Sequence, residues 1–588
     1  MQQYFDYNSR MAVPDRLFTP LHGVELTGGL FRQVFDNNVQ FTLKQLDTDR
    51  MRYWFDVKRG LTPKAERYSG HFEDALKGQT ASQFLMAAGN SLRWREIPEL
   101  RRRMDEILDF LQDTAEPDGF LMPIDKSQFA IREYPHYVRI WLTYGLIAAA
   151  RGGSKRAFPM LRLWQDWFNR CPDLPVIRYL ELAYQGIVAS TSVFATEIGC
   201  KEDMEICRKY YEETWRLAQF IAREKDAVHI RRQSGHEPHP HGSELESFEG
   251  YLDLYRHFGA PYLLNAVLGA WELYSQDWQH PGGGIVMCEN TPDRYPGCNF
   301  IYPAHYYNEL CCSSFWMHLN QRLHRLFPDE EKYVSEMEKS LYNVAIANQS
   351  GDVTIRYFAN LHDRKSTSYA MPNHCCSGTG TRIFASLPEY LYTLNQDTLS
   401  CDIYADSRLE WQTPWQVITV TQQAGFPYDG KVRLQFEMAQ GQDFTLRLRF
   451  PQYMATEKTP VLLNGAECAH GQRGAYLEIH RHWQSGDSIS FEIPFGFQSH
   501  LYHGIDEVAG HTRCAYTYGP LLLAAVAPFN HENGLLLSGM PQELTARLQR
   551  NASRPLAFDV QGEPNVILKP YFEVQDEQFT CFPLFVTP

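Results

Sequence analysis

Two clusters, Glu309-Leu310-Cys311-Cys312 and Cys375-Cys376, bring together the side chains of this sequence with the most chemistry in them. Thirteen cysteines, an odd number at irregular spacing, suit a reducing compartment, so adjacent cysteines read as thiols rather than disulfides. Thiolates from Cys311, Cys375 and Cys376 with the carboxylate of Glu309 make a tetrahedral S₃O donor set of the kind that holds zinc. The spacing is not that of a CxxC…CxxC ribbon. The competing reading is a group of buried structural cysteines, a residue type commonly found inside. A histidine-rich stretch, Asp226–Glu244, contains His229, His236, His239 and His241 among Gly and Pro and reads as a polar loop rather than a metal site.

The elements that must position these residues change character along the chain. From Phe31 to Asn395 the apolar residues recur at helical spacing, as in Val334, Met337, Leu341 and Val344. Similar stripes run through Leu100–Thr114, Tyr137–Arg151, Phe158–Asn169, Lys201–Glu224, Glu246–Phe258 and Arg382–Leu394. Gly- and Pro-bearing turns such as Glu116-Pro117-Asp118-Gly119 and Pro281-Gly282-Gly283-Gly284 separate them. About a dozen helices without an internal sequence repeat predict an (α/α)₆ barrel rather than a solenoid. After Asn395 the period becomes two: Val432, Leu434, Phe436 and Met438 alternate with polar neighbours, as do Phe444, Leu446, Leu448 and Phe450. That pattern predicts an antiparallel β-sandwich. The expected division is an N-terminal segment 1–30 packed on the sandwich region, a helical catalytic barrel 31–395, a β-sandwich 396–500 and a second β-rich unit 501–588.

With 588 residues, 44% hydrophobic and 14% aromatic, the chain is long enough for several packed units. A net charge of -14 without a basic run excludes nucleic acid and anionic membrane as main partners. The N-terminal residues carry no secretory pattern, and no apolar run is long enough to span a bilayer. A cytoplasmic protein is expected, with a homodimer as one possible assembly.

Several segments, in order, resemble glycoside hydrolase family 127, the β-L-arabinofuranosidase family. Leu26-Thr27-Gly28-Gly29-Leu30-Phe31 is similar to a segment near the start of the family's domain, and Pro117-Asp118-Gly119-Phe120-Leu121 to its PDGYL turn. Gly282-Gly283-Gly284-Ile285 followed by Glu289 resembles GGIG…GE. Asn308-Glu309-Leu310-Cys311 matches E-x-C, Glu338-Lys339-Ser340-Leu341-Tyr342-Asn343 matches ERALYN, and Cys375-Cys376 matches the double cysteine. The resemblance implies a helical barrel with β-sandwich domains and zinc held by Glu309, Cys311, Cys375 and Cys376. It further implies Cys375 as nucleophile, Glu289 as acid/base and Glu338 near the sugar. Cys312 is expected to point into the protein.

This reading fits the demands of a retaining glycosidase, with a thiolate in place of the second carboxylate. A metal would strip the thiol proton and fix the sulfur, and Glu289 would need a pKa raised toward neutrality. The chain departs from the family where its arabinofuranosidases carry sugar-binding histidines. Arg139 stands at one of these places and Glu246-Ser247-Phe248-Glu249-Gly250-Tyr251 at the other. An arginine in the pocket would suit a carboxylated pentose; the alternative is an ion pair with Glu133.

The expected function is zinc-dependent, retaining exo-hydrolysis of L-arabinofuranose or a related, possibly carboxylated, pentofuranose from plant-derived oligosaccharides. Arg139, His305, His374 and Glu338 are expected at the substrate. Two rivals remain. One is a sugar isomerase or lyase using Tyr134-Pro135-His136 with His305 and His374. The other is a non-catalytic glycan-binding protein with a structural zinc.

Overall fold

A computed structural model describes residues 7–129, 134–171, 186–211, 217–228, 242–285, 308–351, 354–365, 371–502 and 507–587. Among them, six helices touch in a closed ring: Gln79–Trp94, Tyr134–Arg151, Gly186–Phe194, Gly242–Phe258, Leu310–Leu326 and Cys375–Ala385, the last returning to the first. A second layer backs this ring. Gly29–Gln45, Pro98–Thr114, Ala157–Asn169, Lys201–Tyr211, Pro261–Asp277 and Lys332–Ser340 each pack on an inner helix. This is the double ring of an (α/α)₆ barrel.

The two layers differ in sequence for a physical reason. An outer helix such as Pro98–Thr114 buries Leu100, Met104, Ile107, Leu108 and Leu111 on one stripe and offers Glu and Arg to solvent. An inner helix has neighbours on all sides, and Gln79–Trp94 is buried from Gln79 through Arg93. Its small residues let it approach Tyr134–Arg151 closely. A Cβ at Gly145 would lie 2.6 Å from the Ser82 carbonyl oxygen, and one at Gly89 would overlap the Ala148 backbone.

The strands form three larger sheets. Seven strands run in the order Val24–Leu26, Ser407–Gln412, Val417–Ala424, Lys431–Glu437, Ser488–Glu492, Lys458–Leu463, Ala466–Gln472. Four more, Ala475–Trp483, Gln442–Phe450, Thr398–Cys401 and Tyr392–Leu394, make the facing sheet. Aromatic rings lock the two faces: Phe436 and Phe444 lie 5.7 Å apart, Trp411 and Phe444 5.3 Å, and Phe450 and Phe491 5.1 Å. The N-terminal residues Val24–Leu26 pair with Ser407–Leu409, so the start of the chain is a strand of the sandwich.

Several segments differ from their sequence-based expectation. Arg382–Leu394 is not one helix: it ends at Ala385, turns through Leu387–Tyr390 and becomes the strand Tyr392–Leu394. Pro388 cannot continue a helix, and Thr393 with its aromatic neighbour suits a ladder on Thr398–Cys401. Within Lys201–Glu224 the described residues are helical over Lys201–Tyr211 and Leu217–Ile221, residues 212–216 lying outside the described ones. Short strands Gln349–Ser350, Thr354–Ile355 and His362–Asp363 interrupt the helical part. Phe497–Leu501 leaves the sandwich and pairs with His511–Tyr518 in the C-terminal sheet, which also takes His362–Asp363 through Phe579–Thr580. No helix among the described residues is long and apolar enough to cross a membrane.

Candidate active site

The inner helices present their N-terminal ends at one mouth of the ring, and there the thiols meet. Cys375 and Cys376 open the helix Cys375–Ala385, with His374 as N-cap. Cys311 is the second residue of Leu310–Leu326, with Glu309 as N-cap. Neither cap residue spends its side chain on its own helix. The positive end of a helix favours an anionic sulfur or carboxylate, so all three thiols and Glu309 sit where the backbone supports negative charge.

One sulfur from each of Cys311, Cys375 and Cys376 lies within 4.8 Å of the others. Cys376 Sγ is 2.9 Å from Cys311 Sγ and 3.7 Å from Glu309 Oε1. Tyr357 Oη lies 3.5 Å from Cys375 Sγ, and Thr379 Oγ1 3.4 Å from Cys311 Sγ. Burial pushes the Cys311 and Cys376 thiols well above the usual cysteine range; Cys375 pushes both further, and Cys311 does the same to Cys376 while the Cys376 hydrogen bond pulls Cys311 partly back. Packed thiols of this kind ionise together only beside a cation. The three sulfurs make a donor set that could hold a metal such as zinc, and Glu309, 3.7 Å from Cys376 but outside the group of three, would have to close in as the fourth ligand. The Cys311–Cys376 contact is shorter than the roughly 3.8 Å edge of a tetrahedron with metal–sulfur bonds of about 2.3 Å, so the two sulfurs would have to move apart to hold the ion. Cys375 is 6% exposed, against 3% for Cys311 and none for Cys376, so it is the sulfur nearest to reach from outside.

The surrounding motifs are scaffold. Gln83 Nε2 donates to the His374 carbonyl at 3.1 Å and Gln79 Nε2 to that of Asn373 at 3.3 Å, holding the entry to the cysteine helix. His280 Nε2 and Asn308 Oδ1 are 2.9 Å apart, and the Gly282 amide donates to His280 Nδ1 at 3.0 Å. Asn308 Nδ2 reaches the Asn343 carbonyl at 3.1 Å. Asn343 in turn donates to Gly282 O (3.1 Å) and Pro520 O (2.9 Å) and accepts from the Leu522 amide at 2.8 Å. Only glycine serves at Gly284, because a Cβ there would strike His280 and Asn308. The Gly-rich turn and the Asn343 helix therefore hold Asn308, next to Glu309, and tie it to the C-terminal sheet. The Glu309–Phe358 bridge and the Leu310 amide, which donates to Tyr357 O at 3.2 Å, bring Tyr357 alongside.

The structure brings together Glu309, Cys311, Cys375 and Cys376, with His374 beside Tyr357 at 5.3 Å between ring centroids. Glu289 and His305, like Glu133 and the histidines of the 229–241 stretch, lie outside the described residues. Cys312 is fully buried.

Three expectations are corrected. Arg139 is two residues from Tyr137, on the opposite side of its helix, and Tyr137 is the one that feels the thiols. The guanidinium of Arg139 faces the outer layer instead. It donates to Gly186 O (2.9 Å), Gln165 Oε1 (2.8 Å) and Ser190 Oγ (2.6 Å), over the Phe168 ring. A carboxylated sugar loses its support. Glu338 is on an outer helix, fully buried against the sandwich, ion-paired with Arg449 and accepting from Tyr453 Oη at 2.9 Å. His136 is a core residue, bonded at 2.8 Å to Phe129 O, and burial lowers its pKa to about 3. It cannot lead a set of barrel-mouth histidines.

Sequence reasoning missed Tyr357, Thr379, Tyr137 and the Gln79–Gln83 pair. The i, i+4 glutamines on an otherwise apolar helix were the one legible signal.

The β-L-arabinofuranosidase GH127 catalytic-domain pattern matches residues 23–389, and the GH127 middle-domain pattern matches residues 398–495. Comparison with curated proteins finds no match. Among solved structures, a GH127 β-L-arabinofuranosidase from Geobacillus Stearothermophilus T6 superposes with a TM-score of 0.74 at 17% identity, covering 96% of this chain and 100% of its own. A second GH127 β-arabinofuranosidase gives 0.74 at 18% identity, with 98% of each chain covered. A third structure, described as a glycoside hydrolase, gives 0.71 at 15%, covering 100% of this chain and 99% of its own. With both patterns matched in order over the barrel and the sandwich, this chain belongs to glycoside hydrolase family 127, the β-L-arabinofuranosidase family, and is a glycoside hydrolase.

Proposed function

We propose that the protein is a zinc-dependent, retaining exo-glycosidase that releases L-arabinofuranose, or a neutral pentofuranose close to it, from plant-derived oligosaccharides in the cytoplasm. The observation that carries this reading is the cluster of Cys311, Cys375 and Cys376 at the N-terminal mouth of the ring.

Glu309, Cys311, Cys375 and Cys376 would hold the zinc, which supplies the positive charge that keeps the thiols ionised at neutral pH and lets a sugar-bearing sulfur depart. In the first step the Cys375 sulfur forms a bond to the anomeric carbon while the glycosidic bond breaks. Glu289 gives its proton to the leaving oxygen. In the second step the ionised Glu289 takes a proton from water, whose oxygen displaces the sulfur from the opposite face. Two inversions give net retention. Tyr357 Oη, 3.5 Å from Cys375 Sγ, accepts from the thiol and would donate to the sulfur once it is ionised, orienting it in both states. Gln79 and Gln83 fix the backbone that carries it.

Aryl pentofuranosides of both anomers, followed by NMR of the first-formed sugar, test the reading. The expected result is hydrolysis of the β-L-arabinofuranoside with retained configuration. Inverted product, or no turnover of any pentofuranoside by protein carrying stoichiometric zinc, contradicts it.

A further inference from the structure

The far end of the ring holds a second polar chamber that the glycosidase reaction does not use. The inner helices point their C-terminal ends there, and all but Gly186–Phe194 bring an arginine: Arg93, Arg151, Arg256, Arg322 with Arg325, and Arg382. These six guanidinium groups line a cavity of about 130 Å³. Part of their charge is matched. Arg256 pairs with Asp15 at 2.7 Å and with Asp253 at 3.2 Å. Arg93 pairs with Glu389 at 2.8 Å, and Arg322 with Glu249. Arg325 shares Asp15 with Arg256, and the buried Glu246 carboxyl also feels Arg382 and Arg322. That sets five carboxyl groups against six cations, and two of the five are not fully charged near neutrality, because burial raises Glu249 to about 7 and Glu246 well above its usual range.

The excess falls at one place. Arg382 lies over the Tyr144 ring at 3.9 Å, with its buried Nη1 making no hydrogen bond among the described residues. His318, also on the cavity wall and only 2% exposed, has a buried Nδ1 with no partner. Helix C-termini attract cations, which accounts for arginines in last turns. It does not account for a hollow between them, or for buried nitrogen atoms that face no acceptor, since such atoms cost free energy unless something fills the gap.

We propose that this chamber is a binding site for one small oxyanion, phosphate or a compact carboxylate, held by Arg382 with His318. The guanidinium fork matches either ligand, and the volume admits one such group rather than an oligosaccharide. The site is independent of the zinc and nucleophile assignments.

Calorimetric titration of the intact protein with inorganic phosphate and, separately, citrate tests the proposal, with sodium chloride at matched ionic strength as reference. Thermal unfolding under the same conditions gives a second readout, because a ligand bound only to the folded state raises the midpoint. Saturable binding of phosphate, citrate or both, weakened roughly tenfold or more in Arg382→Gln, is the expected result. Which anion binds identifies the source. His318→Gln provides the same comparison if Arg382→Gln does not fold. Heats and midpoints that follow ionic strength alone, or binding unchanged in the variants, overturn the proposal and leave the arginines as partners of the helix ends.

Discussion

At their N-terminal ends the inner helices gather Cys311, Cys375, Cys376 and Glu309; at their C-terminal ends the same helices gather Arg93, Arg256, Arg322, Arg325 and Arg382. The helix macrodipole is common to both, and each end has recruited the charge that it favours. The difference lies in how that charge is balanced. At the arginine end, carboxylates within the protein supply most of the opposite sign. At the thiol end, three sulfurs crowd within 4.8 Å of one another with Glu309 beside Cys376, donor types whose charge a bound metal would balance.

Metal removal should therefore separate the two ends most sharply. Cys311→Ala together with Cys376→Ala is expected to take zinc from about one per chain to none and to abolish turnover, while the arginine end keeps its ion pairs. Elemental analysis and activity read both. A double variant that keeps its zinc breaks the comparison. A smaller effect is expected away from both ends, where Glu338 and Arg449 join barrel to sandwich. Arg449→Met leaves a buried carboxylate unpaired and should cost about 3–5 kcal/mol in denaturant unfolding, with kcat per folded molecule nearly unchanged. A loss of kcat with stability intact would return Glu338 to the sugar.

The smallest effect is a pH slope at the middle of the ring. Burial raises Glu249 to about 7, opposed by Arg322 and Arg382. In the unfolded chain its carboxyl titrates near 4.3. Between these values the folded protein holds a proton that the unfolded chain has released, so this group makes stability fall as pH rises, levelling off above about 7. The stability of wild type relative to Glu249→Gln should accordingly decline from pH 5 to 7. Parallel curves would mean that Glu249 is ionised throughout.

The fold was legible where one face of an element is wet. Pro98–Thr114 and the alternating strand Lys431–Glu437 announce themselves by period, since burial on one side writes a pattern. Inner helices such as Gln79–Trp94 bury every face and write none, so Gln79 and Gln83 passed unnoticed. In the site, residue types pointed to Cys311, Cys375 and Cys376, which the fold brings together, with Glu309 beside Cys376. Arg139 shows the limit. Its type suited a carboxylate ligand, but a slip of two residues along a helix reverses the face, and nothing local in the sequence separates the lumen from the outer layer. Glu338 failed in the same way, its partner Arg449 being supplied by a different domain.

The account turns on the sulfur of Cys375, and covalent trapping addresses it directly. The protein is incubated with an L-arabinofuranose mimic bearing a haloacetamide or an epoxide at the anomeric position, then digested and mapped by mass spectrometry. One adduct per chain is predicted, on the Asn373-His374-Cys375-Cys376 peptide at Cys375, absent from Cys375→Ser and suppressed by free arabinose. Labelling of Cys312, of a carboxylate, or of Cys375→Ser to the same extent as wild type would contradict it.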